Sequence, residues 1–236
     1  MSQATDLLAR EAEVIRILKV MGSLDSGFIV IGGYAINALT SHRFSVDCDI
    51  VVDSKGMKPV SAILDREGYR PISRLKKQPI YGVRMKKYVK PAGIGTVSVE
   101  VFPKELSCRQ TDGTWTYELV RKNSSKLRVV GLTDSAEAQV PARELIMAMK
   151  IHAGRDTDLR DVTMLSEQVD WQAMKDFAYC GNIAKVKKQL DAAIETISKP
   201  EFVSSLKAEF ALRSDVRPMV KRTVQGLEKV RKIFNE

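Results

Sequence analysis

The chain has 236 residues, 44% of them hydrophobic and 28% charged, which is ordinary for a folded globular protein. No stretch reaches the roughly 18 uninterrupted apolar residues that a membrane span needs, and the three cysteines fit neither a paired disulfide set nor a CxxC zinc site. The formal net charge of +9 favours an anionic partner, such as a nucleotide or RNA.

The amino-terminal region predicts an amphipathic helix over residues 5 to 20, because its leucines and isoleucines recur at helical spacing. Acidic and basic residues are mixed throughout this region, which is unlike a secretory signal peptide, so we expect a cytoplasmic protein. The run "FIVIGG" then predicts a short strand and a tight turn that leads into the helix "YAINALTSH".

A second strand and a second helix follow. The strand is "SVDCDIVVD", and the helix "KPVSAILDREG" ends at Gly68, where a left-handed residue is expected. The sheet continues through "YGVRMKKYVK" and "TVSVEVFP", joined by the turn "PAGIG", while "TWTYELV" and "KLRVVGL" are predicted edge strands. This alternation predicts an α/β (α+β) domain, a mixed sheet flanked by helices, over residues 1–135.

The pattern becomes helical beyond that point. "PARELIMAMKIHAG" is a strong helix with proline at its start and glycine at its end, and "DTDLRDVTMLSEQV" is a second helix that Asp156 is expected to cap. The rest of the chain alternates apolar and charged residues at helical spacing, with breaks at Pro200 and Pro218. We therefore expect a helical carboxy-terminal domain over residues 136–236.

Positive charge is concentrated between residues 66 and 90, where nine Lys or Arg residues accompany a single acid, Glu67. Such a run is either a solvated surface or a site for a polyanion. Tyr69, Tyr81 and Tyr88 lie between the cations, where they either stack on nucleic-acid bases or cover the core.

The strand "SVDCDIVV" carries two aspartates among residues that favour burial. Side chains two apart on a strand share a face, so Asp47 and Asp49 project to one side and Cys48 to the other, which makes Cys48 a core residue. Two adjacent carboxylates repel each other and are costly to desolvate. Mg²⁺ removes both problems, because it is commonly held by one or two carboxylates with substrate phosphates. The alternative is a frayed, exposed strand end without a ligand.

A pair of glycines precedes these aspartates by about fifteen residues. Gly32 and Gly33 end one strand and open a helix, a turn that lets the backbone approach a phosphate and leaves helix amides to bind it. A glycine pair alone is usually only a tight turn. Followed by Asp-x-Asp on the next strand, it indicates a nucleotide site.

The segment "GGYAINALTSHRFSVDCDIVV" resembles the signature of the polymerase-β-type nucleotidyltransferase superfamily, in which the glycine pair and the Asp-x-Asp recur in this order. "LIMAMKIHAGRDTDLRDVTML" resembles later motifs of the AbiEii-like branch, which includes toxin nucleotidyltransferases; the matching residues are Lys150, Arg155, Asp158 and Asp161. The resemblance implies a nucleoside triphosphate (NTP) substrate, Mg²⁺ held by Asp47 and Asp49, and transfer of a nucleotide to an acceptor.

The resemblance also implies further site residues. Glu100 in "VSVEVF" is the candidate for the third carboxylate, as a metal ligand or base; alternatively it faces water with Ser98 and Phe102. Lys150 is expected to contact the triphosphate. Asp158 and Asp161 are expected to orient Lys150 or the nucleotide; alternatively, they are ordinary acids in the first turn of a helix. Ser45 stands where threonine is frequent and Thr157 where lysine is frequent. Ser45 and Arg43 are expected to help position the triphosphate.

Three functions remain open on this reading. The first is an Mg²⁺-dependent nucleotidyltransferase acting on RNA, such as the acceptor end of tRNA, with an antitoxin as a further partner. The second keeps the chemistry but uses a small hydroxylated molecule or a protein side chain as acceptor. The third is a non-catalytic nucleotide-binding or RNA-binding module of the same fold.

Overall fold

The computed structural model describes residues 3–24, 27–72, 80–81 and 85–234. The chain forms two compact units: one comprises residues 1–38, 44–106 and 115–142, and the other residues 39–43, 107–114 and 143–236. Each unit is therefore discontinuous along the chain, since two short segments from the amino-terminal half group with the helical part.

The secondary-structure elements are numbered in chain order. The helices are α1 Gln3–Met21, α2 Gly32–Leu39, α3 Met57–Arg66, α4 Tyr117–Lys122, α5 Arg143–Ala153, α6 Asp156–Leu165, α7 Trp171–Ala178, α8 Ile183–Ile197, α9 Pro200–Glu209 and α10 Arg217–Ile233. The strands are β1 Phe28–Ile31, β2 Asp47–Val52, β3 Arg70–Pro71, β4 Lys86–Ala92, β5 Gly95–Pro103, β6 Glu105–Cys108, β7 Gly113–Thr116, β8 Ser124–Val130 and β9 Ser135–Pro141.

The first unit is built on a mixed sheet with the strand order β3-β4-β5-β2-β1-β9-β8. β1 is central and buried along its whole length, as its four apolar residues require, and it pairs antiparallel with β2 and parallel with β9. β2 runs parallel to β5, which pairs antiparallel with β4. Helix α1 packs against the sheet. The expected α/β class with a mixed sheet and flanking helices is confirmed.

Several local predictions hold. The first helix, the two strands around the glycine pair and the second helix lie where the pattern placed them. Gly68 adopts a φ of +86°, the left-handed conformation expected after α3. The segment "KLRVVGL" lies largely in β8, which is an edge strand.

Two predictions in the first unit are corrected. The segment "TWTYELV" is a strand only as far as Thr116, whose side chain accepts a hydrogen bond from the Leu119 amide at 3.2 Å and caps helix α4. The cap overrides the strand preference of the tyrosine and valine that follow. Strand β9 was not predicted, and it pairs with both β1 and β8.

The second unit is helical, as expected. Within it, α5 packs against α6, α7 and α8, and α10 packs against α6, α7 and α8. Pro200 and Pro218 lie in the first turns of α9 and α10, where proline costs no hydrogen bond. The expectation that Asp156 caps α6 is wrong: Arg155 is the N-cap residue, and its amide donates to Asp158 Oδ2 at 3.2 Å, since a carboxylate at the third helical position reaches back to the cap.

None of the helices in the described part of the chain combines the length and the apolar character that crossing a bilayer demands.

Candidate functional site

Three of the predicted acidic residues lie on two neighbouring strands of the first unit. In the parallel β2–β5 pair, Asp47 is opposite Ser98 and Asp49 is opposite Glu100. Residues in register on adjacent strands project to the same face of a sheet, so Asp47, Asp49 and Glu100 share one face. Ser98 and Phe102 are buried on β5, so this face is not simply exposed to water, as the alternative for Glu100 required.

Cys48 lies between the two aspartates and is fully buried. Burial raises the pKa of its thiol well above the ordinary value, and the negative charges of Asp49 and Asp47 act in the same direction. A thiol held in its neutral form is a poor nucleophile. This environment agrees with Cys48 as a core residue.

The two aspartates lie at the less buried end of β2. Asp47 is exposed and Asp49 is half-buried, whereas Ile50, Val51 and Val52 are buried. The carboxylates therefore lie at the open end of a strand whose other end belongs to the core. A frayed end without a partner does not describe Asp49, because Asp49 packs closely against the glycine turn.

Gly32 makes that packing possible. Its φ is +66°, and a Cβ atom built on it would overlap Asp49 Oδ2 and lie 2.9 Å from Asp49 Cγ. The antiparallel pairing that sets Ile31 opposite Asp49 brings the turn and the carboxylate together. Gly33 is buried in the first turn of α2. Glycine at position 32 thus serves both the backbone conformation and the approach of the carboxylate.

A chain of hydrogen bonds positions the start of β2. The buried hydroxyl of Tyr34 donates to the Ser45 carbonyl oxygen at 2.8 Å, and Ser45 Oγ donates to the Asp47 carbonyl oxygen at 3.1 Å. Ser98 Oγ donates to the carboxylate oxygen Oδ1 of Asp47. Burial raises the pKa of Tyr34 far above its ordinary value, so its hydroxyl stays a donor. The backbone and the carboxylate of Asp47 are both held.

Lys87 is a site residue that the sequence analysis did not single out. Its Nζ lies 2.7 Å from Glu100 Oε1 and 3.6 Å from Asp47 Oδ1. Burial opposes the charged ammonium, but the hydrogen bond to Glu100 and the charge of Asp47 raise the pKa of Lys87 overall. The hairpin turn makes this pairing predictable from the sequence. Ala92 pairs with Gly95 next to the turn, so the residues five positions farther from the turn on each strand, Lys87 and Glu100, also pair.

The basic run of residues 66–90 is largely neutralised where the structure describes it. Ion pairs join Arg66 to Glu67, Arg70 to Asp65, Lys87 to Glu100 and Lys90 to Glu13. Tyr69 and Tyr88 are buried, so they cover the core and do not present faces for stacking. Lys86, also in the run, is exposed on β4, and the remaining four cations lie outside the described residues: Arg74, Lys76, Lys77 and Arg84.

The second unit contains a buried ion cluster made by the remaining predicted residues. Lys150 Nζ lies 2.8 Å from Asp158 Oδ1 and 2.8 Å from Asp161 Oδ2. Arg43 Nε donates to Asp161 Oδ1 at 2.8 Å, and Arg155 Nε donates to Asp158 Oδ2 at 2.6 Å. Both carboxylate side chains are fully buried. Asp158 and Asp161, one turn apart on α6, thus face Lys150.

The residues of this cluster keep one another in their charged forms. Burial opposes ionisation of Asp158, but Lys150 and Arg155 lower the pKa of Asp158 to about 2. Burial likewise opposes the ammonium of Lys150, yet the charges of Asp161 and Asp158 raise its pKa. Each buried charge is compensated by a hydrogen-bonded partner, which is the condition for keeping ions inside a protein. The predicted contact between Lys150 and a triphosphate stays a prediction.

The acidic face of the first unit suits Mg²⁺ in part. Among the described residues, no group of three or more His, Cys, Asp or Glu side chains is already arranged to hold a metal ion. Mg²⁺ does not need such a cage, because one or two carboxylates suffice when substrate phosphates and water complete its shell. Asp47 and Asp49 would supply two oxygen ligands on one face, beside the glycine turn.

The chain matches no protein-family model, and no curated protein matches it in sequence. Solved structures do match its fold. JHP933 from Helicobacter pylori is 14% identical, with a TM-score of 0.51 over 100% of this chain and 95% of that one. A proposed nucleotidyltransferase from H. pylori is 13% identical, with a TM-score of 0.50 over 100% of this chain and 98% of that one.

A third similar structure is ANT(2")-Ia in complex with adenylyl-2"-tobramycin. It is 13% identical, with a TM-score of 0.50, over 76% of this chain and 98% of that one. At these identities the likeness concerns the fold, which is the nucleotidyltransferase fold that the sequence predicted. The AbiEii-like branch stays a prediction from the second motif.

Proposed function

We propose that the protein is an Mg²⁺-dependent nucleotidyltransferase that moves a nucleoside monophosphate from an NTP to an acceptor hydroxyl. The observation that carries the proposal is the contact between Gly32 and Asp49, which joins the glycine turn to the acidic face in a fold shared with solved nucleotidyltransferases. Core packing alone does not require two carboxylates at this point.

The proposed roles follow from the contacts of each residue. Gly32 and Gly33 leave the first amides of α2 available to a phosphate. Asp47 and Asp49 would hold Mg²⁺, which supplies positive charge against the triphosphate and the leaving pyrophosphate. Ser45 supports the backbone of Asp47. The nucleotide contacts expected of Lys150, Arg43, Asp158 and Asp161 belong to the same proposal.

RNA, such as the acceptor end of tRNA, is the acceptor that we propose first, because the net charge of +9 favours a polyanion. An antitoxin partner is part of this toxin-like reading. A small hydroxylated acceptor is the second candidate. It is favoured by the adenylyl-tobramycin in the similar ANT(2")-Ia structure and by the internal ion pairing of the described basic run.

The test is incubation of the full chain with each α-³²P-labelled NTP, Mg²⁺ and one acceptor class at a time: total RNA, total protein or aminoglycosides. Label in the RNA supports the first acceptor. Label in the aminoglycoside supports the small hydroxylated acceptor, and label in protein supports the other form of the second function, transfer to a protein side chain. Label in none of the three, with nucleotide binding retained, supports the non-catalytic module and contradicts the proposal.

A variant pair makes the test specific. Asp47→Asn with Asp49→Asn is expected to reduce transfer by roughly a thousandfold, because a bound metal contributes several kcal/mol of charge stabilisation. Asp65→Asn is the matched control, since Asp65 is exposed and pairs only with Arg70 among the ion pairs of the described residues. Undiminished transfer by the double variant would remove the proposed metal site.

A further inference from the structure

We propose that Lys87 is a built-in cation of the acidic face, so that the face takes one divalent ion on Asp47 and Asp49 while Glu100 serves as the counter-ion of Lys87. This inference rests on the proposed function. It assigns a role to a residue outside the motifs, and it replaces the expectation that Glu100 is a third metal ligand.

The first step is the register across three strands. Asp49 is opposite Glu100 in the β2–β5 pair, and Lys87 is opposite Glu100 in the β4–β5 pair. The three residues therefore form one row on one face of the sheet, with Glu100 in the middle. Backbone pairing, and not the freedom of a long side chain, directs Lys87 to the acids.

The second step is how the oxygens are occupied. Glu100 Oε1 has the Lys87 ammonium at 2.7 Å, a charge-assisted hydrogen-bond distance. Asp47 Oδ1 accepts from Ser98 Oγ and lies 3.6 Å from the same ammonium. A cation held between Glu100 and Asp47 occupies the side of the site where a second metal ion would need those oxygens.

The third step is charge. Asp47, Asp49 and Glu100 bring three negative charges and Lys87 returns one, which leaves the charge that a single divalent ion neutralises. Lys87 and Glu100 are both mostly buried, with 23% and 19% of their side chains exposed, so solvent screens their attraction only partly. Displacing the ammonium with a second metal ion would leave a buried cation without its partner.

The test counts Mn²⁺ ions bound per chain by electron paramagnetic resonance of the free ion, using the full-length protein and Mn²⁺ alone. The wild type is expected to bind one ion at this face. Lys87→Met removes the charge but keeps the length of the side chain, and it is expected to bind two. Lys87→Arg restores a cation and is expected to return the count to one. Lys86→Met is the matched control, since Lys86 is exposed on the same strand.

The double variant Lys87→Met with Glu100→Gln provides a second readout. It removes one positive and one negative charge, so the two negative charges of Asp47 and Asp49 remain for the metal. If Glu100 is only the counter-ion of Lys87, this variant keeps one Mn²⁺ with nearly unchanged affinity. If Glu100 is a metal ligand, the affinity falls about tenfold or more, as that of Asp49→Asn is expected to, because affinity follows the charge of the ligand set. A tenfold loss in the double variant overturns the proposal even if Lys87→Met alone does not fold.

The outcomes separate this inference from the proposed function. One ion in both the wild type and Lys87→Met, lost in Asp49→Asn, overturns the role of Lys87 and leaves the metal site intact. Two ions in the wild type overturn it as well. Absence of Mn²⁺ binding in every variant overturns this inference, whereas the proposed function is tested by the transfer assay, in which substrate phosphates complete the metal shell.

Discussion

A side-chain Cβ at position 32 would occupy the space of Asp49 Oδ2, so the glycine turn and the acidic strand meet at a single contact. Gly32→Ala is expected to lose about 1–2 kcal/mol of folding stability to the left-handed backbone and about 1–3 kcal/mol more to overpacking against the carboxylate. It is also expected to displace Asp49 and weaken Mn²⁺ binding. Denaturant unfolding and Mn²⁺ titration measure the two effects.

Gly68→Ala is the matched control for that substitution. Gly68 has the same left-handed backbone, with φ +86°, but the nearest atom to its added Cβ is Lys90 Cε at 3.8 Å, an ordinary contact. It should lose only the backbone part of the stability and keep Mn²⁺ binding. Equal stability losses and equal Mn²⁺ binding in the two variants would show that the crowding at Asp49 has no effect.

Ser98→Ala tests whether the hydroxyl that donates to Asp47 orients it for the metal. Removing a hydrogen bond that fixes a ligand typically costs about 10- to 100-fold in metal affinity. We expect a loss of that size in Mn²⁺ affinity with little change in fold. Ser61→Ala is the control, because the Ser61 hydroxyl bonds to the Met57 carbonyl oxygen on α3 and to the Tyr88 hydroxyl on β4 and not to a carboxylate of the acidic face. A Ser98→Ala affinity equal to that of the wild type would contradict an orienting role.

Asp158 makes stability depend on acid pH. Its pKa is about 2 when folded, against about 3.9 in an unfolded chain. The unfolded state therefore binds the proton more readily, so the stabilisation is complete above about pH 5 and is lost progressively as the pH falls through 2. Asp158→Asn is expected to destabilise the protein by about 3–5 kcal/mol at pH 6, because buried cations lose a partner.

Urea unfolding from pH 2.5 to pH 6 tests this, with Asp191→Asn as control, since Asp191 is an exposed partner of Arg231. The curves of the wild type and Asp158→Asn should converge at the acid end. Curves that stay parallel over the whole range would show that the cluster does not govern acid stability.

His152 is expected to make stability depend on pH nearer neutrality. Its ring lies between the Thr111 hydroxyl, 2.6 Å from Nδ1, and the Ala178 carbonyl oxygen, 2.9 Å from Nε2. Nε2–H donates to the carbonyl, so Nδ1 accepts from Thr111. Burial lowers the pKa of His152, although the Ala178 carbonyl opposes this.

Because the unfolded chain titrates near pH 6.5, it takes up the proton first, and stability should fall as the pH drops below that value, by up to about 1.4 kcal/mol per pH unit. His152→Gln should flatten the dependence between pH 5 and pH 7.5. A slope unchanged by His152→Gln would assign the pH dependence to other groups.

The sequence predicted those parts of the site that depend on neighbouring residues. The glycine turn, the Asp-x-Asp strand and the left-handed Gly68 all follow from local chemistry. Strand β9 was missed because its inward residues Ala136 and Ala138 are small and have little strand preference, and pairing with β1 and β8 outweighs that preference.

Contacts that depend on pairing between distant strands were harder to predict. The closeness of Gly32 to Asp49 requires the antiparallel β1–β2 pairing, which no periodicity specifies. The pairing of Lys87 with Glu100 could be predicted from the sequence, because the hairpin turn fixes the register of the two strands. The charge pattern alone identifies Lys87 only as one of the nine cations of the basic run. Charge composition alone does not separate a structural ammonium from a surface one.

The turn between β4 and β5 has only two residues, Gly93 and Ile94, and the Ile94 amide donates to Asp6 Oδ1 on α1 at 2.7 Å. Side chains alternate along a strand, so inserting one residue in this turn would exchange inward and outward positions on β4. Lys86 could then lie beside the acids in place of Lys87 only if the apolar side chains of β4 also moved to the opposite face of the sheet. The length of this anchored turn therefore sets the strand register that places the Lys87 ammonium beside the acids. Homologues with a longer turn should have a different balance of charge at their acidic strands.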